Sequence, residues 1–347
     1  MGKTFNVGII GSGGIASHAH LPALEKQEDV KIMAICDIKE EAMKENVEKY
    51  KIPHQFTDYN KLLEMPEIDA VHICTPNDTH MDPTIQALKA GKHVICEKPI
   101  GRNAAEGTAM VKAAEESGKK FMVAQCWRWN QDIQALKRFI DAGELGDIYM
   151  ARVWALRRRG IPGWGVFINK EKQGGGPLID IGVHILDFTM YLMGNPKPIA
   201  ASGKTYTNIG KEPGHVALLG EWDYKNYTVE DYAAGFIRLD NGASIIIESS
   251  FAANIEDDKF NTTFMGTKGG AQTAPLKIFG EQHGALTNVT PTGFKTVNIY
   301  EGEVRAFYDA IRDDTDVPVT GEQALNVIKI IDAIYKSSDE GKEVAID

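Results

Sequence analysis

Cysteine is scarce in this chain, and the few present cannot form a metal-binding or redox motif. They are Cys36, Cys74, Cys96 and Cys126, and no two of them have the C-x-x-C spacing. Each ends or follows an apolar run, which is typical of small buried thiols in a reducing compartment. His18 and His20 do not form a metal site either, because residues two apart on a helix point in different directions. We therefore expect neither disulfides nor a metal site.

Long hydrophobic runs and an excess of basic residues are also missing. No run of about 18 apolar residues is present, so no membrane span is expected. The formal net charge of -10 repels phosphate backbones, so nucleic acid is not an expected partner. The N-terminal residues lead straight into a strand pattern without a signal peptide. These absences predict a cytoplasmic protein whose partner is a small molecule.

What is present is the composition of an ordinary globular protein, with 43% hydrophobic and 25% charged residues. The 347 residues are enough for two domains, since single cores stop growing at about 250 to 300 residues. In the N-terminal part, short apolar strands alternate with helices, which indicates an α/β fold with a doubly wound parallel sheet. We predict one domain over residues 1–125 and a second over residues 126–347.

A glycine-rich turn follows the first predicted strand. The residues Gly11, Ser12, Gly13, Gly14, Ile15 and Ala16 form the pattern G-x-G-x-x-A. The first glycine allows a tight turn, the second lets the backbone approach a pyrophosphate, and the small sixth residue permits close packing of helix on strand. The helix N-terminus offers its N–H groups to the phosphates. The position between a strand and a helix makes this otherwise weak pattern a strong one.

The second predicted strand, Val30 to Cys36, leads into Asp37. A carboxylate at this place can accept hydrogen bonds from the adenosine ribose hydroxyls and would repel a 2′-phosphate, which indicates NAD rather than NADP. Alternatively, Asp37 caps the helix predicted over Lys39 to Lys49. The two roles are compatible.

Five residues stand at the carboxyl ends of predicted parallel strands. They are Gly11, Asp37, Thr75, Glu97 and Gln125. Ligands of doubly wound sheets bind at this edge of the sheet. We therefore expect these residues to line one rim that holds the cofactor.

Lys98 follows Glu97 and precedes Pro99. At the mouth of a cleft its ammonium group can polarise a carbonyl or stabilise an alkoxide. Because Pro99 restrains the backbone of Lys98, we predict a cis peptide bond between the two residues. The alternative is a solvated lysine paired with Glu97, which is the better interpretation of the tripeptide on its own.

A second glycine-rich segment, Gly174 to His184, leads into a predicted helix. Asp180 and His184 are four residues apart, which places their Cβ atoms on one helix face, about 5 to 6 Å from each other. An apolar stripe from Ile181 to Leu192 can seat the same helix in a core. The alternative is a surface or capping pair, which is the commoner occurrence of such residues.

Together, Gly11 to Ala16, Glu97-Lys98-Pro99 and Gly174 to His184 resemble the glucose-fructose oxidoreductase, inositol dehydrogenase and MocA-type family of nicotinamide-dependent sugar and polyol dehydrogenases. The resemblance covers nearly the whole chain, including Glu230 to Ala234. It implies a Rossmann domain followed by an α/β domain with an open, mostly antiparallel sheet. It also implies that the closing helices pack back toward the first domain.

The same resemblance implies roles for individual residues. Lys98 matches the catalytic lysine of the family, Asp180 its motif aspartate and His184 its usual acid or base. The positions that line the nicotinamide half of the cofactor are matched by Thr75, Pro76, Asn77, His80 and Glu97.

Between Arg157 and Gly176 lies a long glycine-rich segment. Long loops without secondary structure are usually functional or disordered, and this one leads to Asp180, so we predict a lid over the substrate. Trp164 could stack on a sugar ring or close over the nicotinamide, and Arg158 or Arg159 could bind hydroxyls or a carboxylate. The alternative for the arginines is a solvated charge run.

The second domain carries a predicted hairpin at Asp240-Asn241-Gly242. The following Ile245-Ile246-Ile247 places apolar side chains on both faces of the sheet, whereas a sheet buried on one side should alternate. We therefore predict a homo-oligomer, a dimer or tetramer, that covers the second face.

The resulting hypothesis is oxidation of a secondary hydroxyl of a sugar or cyclitol, with hydride passing to NAD and the proton to His184. Asp180 would orient the imidazole, and Lys98 would stabilise the alkoxide. Two alternatives stay open, an NAD-dependent glycosidase with transient redox chemistry and a non-enzymatic regulator that binds the nucleotide. The presence of all three residues argues against the regulator.

Overall fold

The computed structural model describes residues 4–295 and 297–347, so the predicted approach to the first strand at Met1 to Lys3 lies outside the described residues. The chain divides into two compact units. The first runs to Trp129 and includes Val297–Leu325, and the second begins at Asn130 and includes Asn326–Asp347. A segment from near the C-terminal end therefore belongs to the first unit. The predicted division at a single boundary after residue 125 does not include this return of the chain.

Six parallel strands form the sheet of the first unit. They are β1 (Phe5–Ile10), β2 (Val30–Cys36), β3 (His54–Phe56), β4 (Ala70–Ile73), β5 (His93–Glu97) and β6 (Phe121–Ala124). Their order is β3-β2-β1-β4-β5-β6, and the direction of winding reverses between β1 and β4. Every residue of β4 and β6 is buried, as expected for parallel strands covered on both faces. The predicted doubly wound sheet is confirmed.

The helices of the first unit connect these strands, except for one that comes from a later part of the chain. They are α1 (Leu21–Glu25), α2 (Glu40–Tyr50), α3 (Tyr59–Leu63), α4 (Met81–Lys89), α5 (Ala104–Ser117) and the later α10 (Ile299–Arg312). A π-helical turn, Ala16–His20, precedes α1. The Asn103 side chain caps α5 by accepting the N–H of Glu106 at 3.0 Å, and Gly118, with φ of 63°, ends it.

Nine strands form the sheet of the second unit. They are β7 (Ile148–Leu156), β8 (Pro198–Tyr206), β9 (Tyr232–Leu239), β10 (Ser244–Ser250), β11 (Lys259–Gly266), β12 (Gly270–Thr273), β13 (Leu276–Gln282), β14 (Ala285–Val289) and β15 (Val344–Ala345). Their order is β14-β13-β12-β11-β7-β10-β9-β8-β15. Only β7 and β10 run parallel to each other among these neighbours, so the mostly antiparallel sheet is confirmed.

Helices cover one face of this second sheet. They are α6 (Gln131–Asp141), α8 (Pro177–Asp180), α9 (Gly182–Leu192) and the part of α11 (Gly321–Glu340) that lies in this unit, and the unit also contains α7 (Lys170–Gln173). Ile334 of α11 packs where Gly203 and Gly235 have no side chain, since a Cβ there would lie 2.7 and 2.6 Å from it. Of the two closing helices expected on the first domain, α10 lies wholly in the first unit and α11 only begins there.

The hairpin at Asp240 to Gly242 joins β9 to β10 as predicted, with Arg238 opposite Ser244. Ile245 and Ile247 point into the core and are fully buried, whereas Ile246 on the other face is half-buried. Within residues 4–295 and 297–347, no helix combines the length and apolarity needed to cross a bilayer.

Candidate active site

The glycine turn after β1 has the backbone geometry that a dinucleotide requires. Gly11 has φ of +96°, and a Cβ on it would lie 2.6 Å from the carbonyl oxygen of Cys74, so only glycine fits there. At Gly13 a Cβ would meet nothing within 4 Å, which leaves open space beside the backbone. The helical residues that follow this turn begin at Gly14 and Ile15. The turn can therefore receive a pyrophosphate against its N–H groups.

Asp37 fixes this turn from the end of β2. One carboxylate oxygen accepts the N–H of Ser12 at 2.8 Å, and the other accepts the N–H of Lys39 at 2.9 Å. Each oxygen keeps a further acceptor site, so the carboxylate can also bind ribose hydroxyls. The Ser12 hydroxyl donates to the carbonyl of Ala42 at 2.8 Å, which leaves Ser12 to act through its backbone.

The loop after β4 is tied to the loop after β5 through His80. The ring of His80 is 1% exposed, and its two nitrogens lie 2.8 Å from the carbonyl oxygens of Thr75 and Pro99. Burial lowers the pKa of His80, although both carbonyls favour the charged ring. Pro76 lies between Thr75 and the short 3₁₀ turn that begins at the buried Asn77. His80 thus acts on this loop by holding its backbone.

Glu97 and Lys98 lie together at the end of β5. The Glu97 carboxylate accepts the backbone N–H of Lys98 at 3.1 Å, so it orients the residue that follows it. Lys98 is half-buried, and the peptide bond between Lys98 and Pro99 is cis, as predicted. The lysine is therefore held by its backbone at the carboxyl edge of the sheet.

Gln125, at the end of β6, has the properties of a ligand-binding amide. The residue is 1% exposed, and neither its amide oxygen nor its amide nitrogen has a hydrogen-bond partner among the described residues. Buried polar atoms normally have partners, so this amide suits the polar group of a bound molecule. Together with the glycine turn and Asp37, it shows that the residues of the first unit fit a nicotinamide dinucleotide.

Asp180 and His184 lie on two consecutive short helices rather than on one. α8 ends at Asp180 and α9 begins at Gly182, because Ile181, with φ of −106°, breaks the helix between them. The prediction of a single helix was therefore wrong. The apolar stripe was correct, since Ile181, Ile185, Phe188 and Leu192 are all buried. His184 is half-buried and is the one residue from 175 to 190 that is not buried.

A buried carboxylate, Glu230, holds the start of α8. Its oxygens accept the N–H groups of Gly176 at 2.9 Å and Leu178 at 3.2 Å, and the hydroxyl of Tyr335 at 2.8 Å. Burial raises the pKa of Glu230, while these hydrogen bonds act in the opposite direction. Gly175 has no room for a side chain, because a Cβ would lie 2.1 Å from the Tyr335 hydroxyl oxygen. Glu230 therefore serves as the N-terminal cap that four-residue α8 does not carry itself.

The segment between Arg157 and Gly176 is more ordered than the predicted lid. It contains α7, and the N–H of Gly163 donates to the carbonyl of Leu219 at 2.9 Å. The Arg158 guanidinium donates to the carbonyl of Glu256 at 2.9 Å, and that of Arg159 to the side chain of Asn254 at 2.6 Å. These contacts tie the arginines to residues 254–256, while Arg158 stays exposed and Arg159 is half-buried. Trp164 is 55% exposed.

Comparison with known protein families decides the assignment. Residues 5–125 match the model described as oxidoreductase family, NAD-binding Rossmann fold, and residues 137–346 match that family's C-terminal alpha/beta domain. The chain belongs to the Gfo/Idh/MocA oxidoreductase family. The family, the fold class, the NAD cofactor and the dehydrogenase class predicted from the sequence are thereby confirmed.

Individual relatives of this family match along the full length of the chain. D-glucoside 3-dehydrogenase of Escherichia coli (strain K12) is 34% identical over 98% of this chain and 97% of its own. scyllo-inositol 2-dehydrogenase (NADP(+)) of Bacillus subtilis (strain 168) is 29% identical over 99% and 96%. The structure of levoglucosan dehydrogenase in complex with NADH shares the fold, with a TM-score of 0.86, 24% identity and coverage of 99% and 100%.

For two residues of the site, Glu230 and His20, the sequence revealed only part of their role. Glu230 appeared in the resemblance, but its role in capping α8 was missed, because 54 residues separate it from Gly176 and no spacing rule links them. The signal in the sequence was an acidic residue between the apolar Val229 and the strand β9. A carboxylate buried in such a setting needs several hydrogen-bond donors. His20 was considered only as a metal ligand, although it is 1% exposed and hydrogen-bonded to Glu97.

Proposed function

We propose that the chain oxidises a secondary hydroxyl of a sugar ring, with a glucoside as the substrate class to test first. The support for the substrate class is the 34% identity to D-glucoside 3-dehydrogenase, which covers nearly the whole of both chains. The support for the chemistry is His184, the one half-buried residue in an otherwise buried segment that follows a glycine run. Bound NAD supplies the hydride acceptor.

His184 is the general base in this proposal. As the carbinol C–H bond breaks and hydride leaves, the hydroxyl proton passes to the imidazole, and the product is a ketone. General-base assistance of this kind contributes about 10²- to 10⁴-fold to the rate. Asp180, 6% exposed at the end of α8, is the carboxylate that orients the imidazole and stabilises its protonated form.

Lys98 stabilises the negative charge that develops on the substrate oxygen. An ammonium group does this best when it is held in place before the reaction. The hydrogen bond from the Lys98 backbone to Glu97 fixes the point at which this side chain leaves the chain.

Substrate binding is assigned to Arg158 and Trp164 as well as to the three residues above. Both lie in the segment between Arg157 and Gly176, whose contacts with residues 219 and 256 hold it in place. The exposed indole of Trp164 can pack on the apolar face of a pyranose ring. Arg158 can turn a guanidinium N–H toward hydroxyls.

The experiment is a panel of substrates with NAD, followed by the absorbance of NADH. Methyl and nitrophenyl glucosides are compared with myo-inositol, levoglucosan and free glucose, and nitrophenol release is followed in parallel. We expect NADH to form with glucosides, without loss of the aglycone. Aglycone release without net NADH would instead indicate the glycosidase, and NAD binding without either product would indicate the regulator.

We also propose that the open face of the second sheet is covered by a further copy of the chain, and that the protein is cytoplasmic. The half-buried residues Trp154, Phe236 and Ile246 lie on that face, opposite the covering helices. Arg152 and Glu248 lie on the same face, so it combines large apolar side chains with charged ones, and partly exposed apolar side chains of this size support an interface between subunits. The expected assembly is a dimer or tetramer.

A further inference from the structure

Four buried polar side chains in the first unit form a continuous hydrogen-bonded chain. His20 Nε2 lies 2.9 Å from Glu97 Oε1, and His20 Nδ1 lies 2.8 Å from His72 Nδ1. His72 Nε2 lies 2.9 Å from the hydroxyl oxygen of Tyr308. His20, His72 and Tyr308 are at most 1% exposed, and Glu97 is 7% exposed.

Elements from distant parts of the sequence bring these groups together. His20 ends the π-helical turn that follows the glycine turn, and π-helical turns are frequent at functional sites. His72 lies in β4, Glu97 ends the neighbouring β5, and Tyr308 belongs to α10. The chain therefore joins two helical segments to the neighbouring strands β4 and β5 and ends beside Lys98, whose N–H donates to the second oxygen of Glu97.

Only one arrangement of protons satisfies every contact while Glu97 is ionised and both rings are neutral. A carboxylate only accepts, so His20 donates from Nε2, and its Nδ1 must then be an acceptor. His72 therefore donates from Nδ1, and its Nε2 accepts the hydroxyl proton of Tyr308. All three donors point toward Glu97.

The local environment favours this arrangement. Burial lowers the pKa of His72 well below its ordinary value, with the neighbouring His20 acting in the same direction, and burial raises the pKa of Tyr308. For Glu97 burial acts to raise the pKa, but the hydrogen bond from His20 and the electrostatic effects of His20, Lys98 and His80 outweigh it, and the net shift is downward. The carboxylate thus depends on its partners to stay charged.

We propose that His20 is a positioning residue that keeps the Glu97 carboxylate ionised and aimed at the Lys98 backbone, with His72 and Tyr308 fixing the tautomer of His20. The consequence for turnover rests on the proposed function of Lys98. The effect of His20 on the ionisation of Glu97 does not depend on that function, because it is measured in the protein without substrate.

Other titratable groups also lie near Glu97. His80 and Lys98 act electrostatically on it, and both lower its pKa. Burial raises the pKa of the thiols of Cys74, Cys96 and Cys126, and the pKa of Tyr300, so these groups stay neutral near pH 7. Glu303 acts on Cys126 and Tyr300 from α10. His20 is the one whose side chain donates a hydrogen bond to Glu97 in the contacts described above.

Two near-isosteric variants each keep the hydrogen bond of one ring nitrogen of His20 and remove that of the other. The amide nitrogen in His20→Gln takes the place of Nε2 and can still donate to Glu97. In His20→Asn the amide lies at the place of Nδ1, so the contact to His72 is kept and the donor to Glu97 is lost. His54→Asn, at an exposed histidine of β3, is the matched control.

The direct measurement is a pH titration by NMR of protein labelled with ¹³C at the glutamate carboxyl carbons, without NAD or sugar. The Glu97 resonance is assigned by its loss in Glu97→Gln. We expect His20→Asn to raise the titration midpoint of Glu97 by at least about one pH unit, because a buried carboxylate without its donor favours the neutral form. His20→Gln and His54→Asn should leave the midpoint near that of the wild type.

An unchanged midpoint in folded His20→Asn would overturn the proposal. Should that variant not fold, Tyr308→Phe, which removes a single oxygen, decides the matter. A raised Glu97 midpoint in Tyr308→Phe supports the chain, and an unchanged one contradicts it.

The kinetic consequence is read from the pH profile of kcat/KM with the best sugar. The acidic limb should move to higher pH in His20→Asn and stay in place in His20→Gln, whereas a purely structural defect would lower activity at all pH values alike. If the proposed reaction is wrong, none of the proteins turns over, but the NMR midpoints still test the role of His20.

Discussion

At the scale of single residues, the chemistry is concentrated in side chains whose neighbours restrict them. His184 is half-buried, while every other residue from 175 to 190 is buried. A base must reach the proton that it removes, so this half-buried histidine is the residue of the segment that we expect to act on a bound hydroxyl. Glu97, Asp37 and Glu230 instead act by accepting backbone N–H groups.

His184→Ala should lower kcat/KM with the best sugar by about 10²- to 10⁴-fold, because the reaction loses its general base. The dissociation constant for NAD, measured by protein fluorescence, should stay the same. His54→Ala, at an exposed histidine, is the control and should keep full activity. Full turnover by His184→Ala would refute the role of the imidazole.

Asp37→Asn should weaken the binding of NAD and shift the preference toward NADP. The variant removes the negative charge that repels a 2′-phosphate, so the ratio of the two dissociation constants should change by at least about tenfold, or about 1.4 kcal/mol. Calorimetric titration of each nucleotide without sugar measures it. An unchanged ratio would show that the carboxylate serves only to hold the N–H groups of Ser12 and Lys39.

At the scale of elements, the short helix α8 depends on contacts from distant parts of the chain. Gly175→Ala would place a Cβ 2.1 Å from the Tyr335 hydroxyl oxygen. Overpacking of this kind costs about 1 to 3 kcal/mol and should also displace Tyr335 from Glu230. Urea unfolding measures the loss of stability, and kcat/KM should fall with it.

Gly280→Ala is the matched control for that variant. The nearest atom to a Cβ at Gly280 is 3.9 Å away, so its effect should stay within about 0.5 kcal/mol. Equal stability of the two variants would contradict the close packing at Gly175.

The same element shows where sequence reasoning succeeds and where it stops. Periodicity is local, so it identified the buried stripe that includes Ile185 and Phe188. The helix breaks at Ile181, and the start of α8 is held by Glu230 and Tyr335 from distant parts of the chain, which no pattern within the segment can reveal. β12, a strand of four residues with the sequence Gly-Ala-Gln-Thr, was missed because its neighbours in the sheet define it.

At the scale of the whole molecule, the order of motifs identified the family and the fold of both units. The alternation of strands and helices in the first unit was predicted, because buried parallel strands are short apolar runs separated by helices. The participation of Val297–Leu325 in that unit was predicted only through the family resemblance. Chain segments far apart in sequence leave no local signal of their association.

The assembly is tested by Phe236→Glu, which places a charge on the open face of the second sheet. Phe236 lies opposite Ile246 in the antiparallel pair of β9 and β10. Light scattering after gel filtration should show a smaller particle than the wild type, since burial of an unpaired charge is unfavourable. Leu218→Glu, at a residue already 70% exposed, should not change the mass. A monomeric wild type would contradict the proposed assembly.

The most direct test of the central claim follows one hydrogen atom. A glucoside carrying deuterium on the ring carbons that bear secondary hydroxyls is incubated with the enzyme and NAD, and the reduced nucleotide is examined by mass spectrometry and NMR. We predict one deuterium on the nicotinamide ring, a ketone on the sugar and an intact glycosidic bond. Reduced nucleotide without deuterium, or cleavage of the glucoside with no reduced nucleotide, would contradict the account.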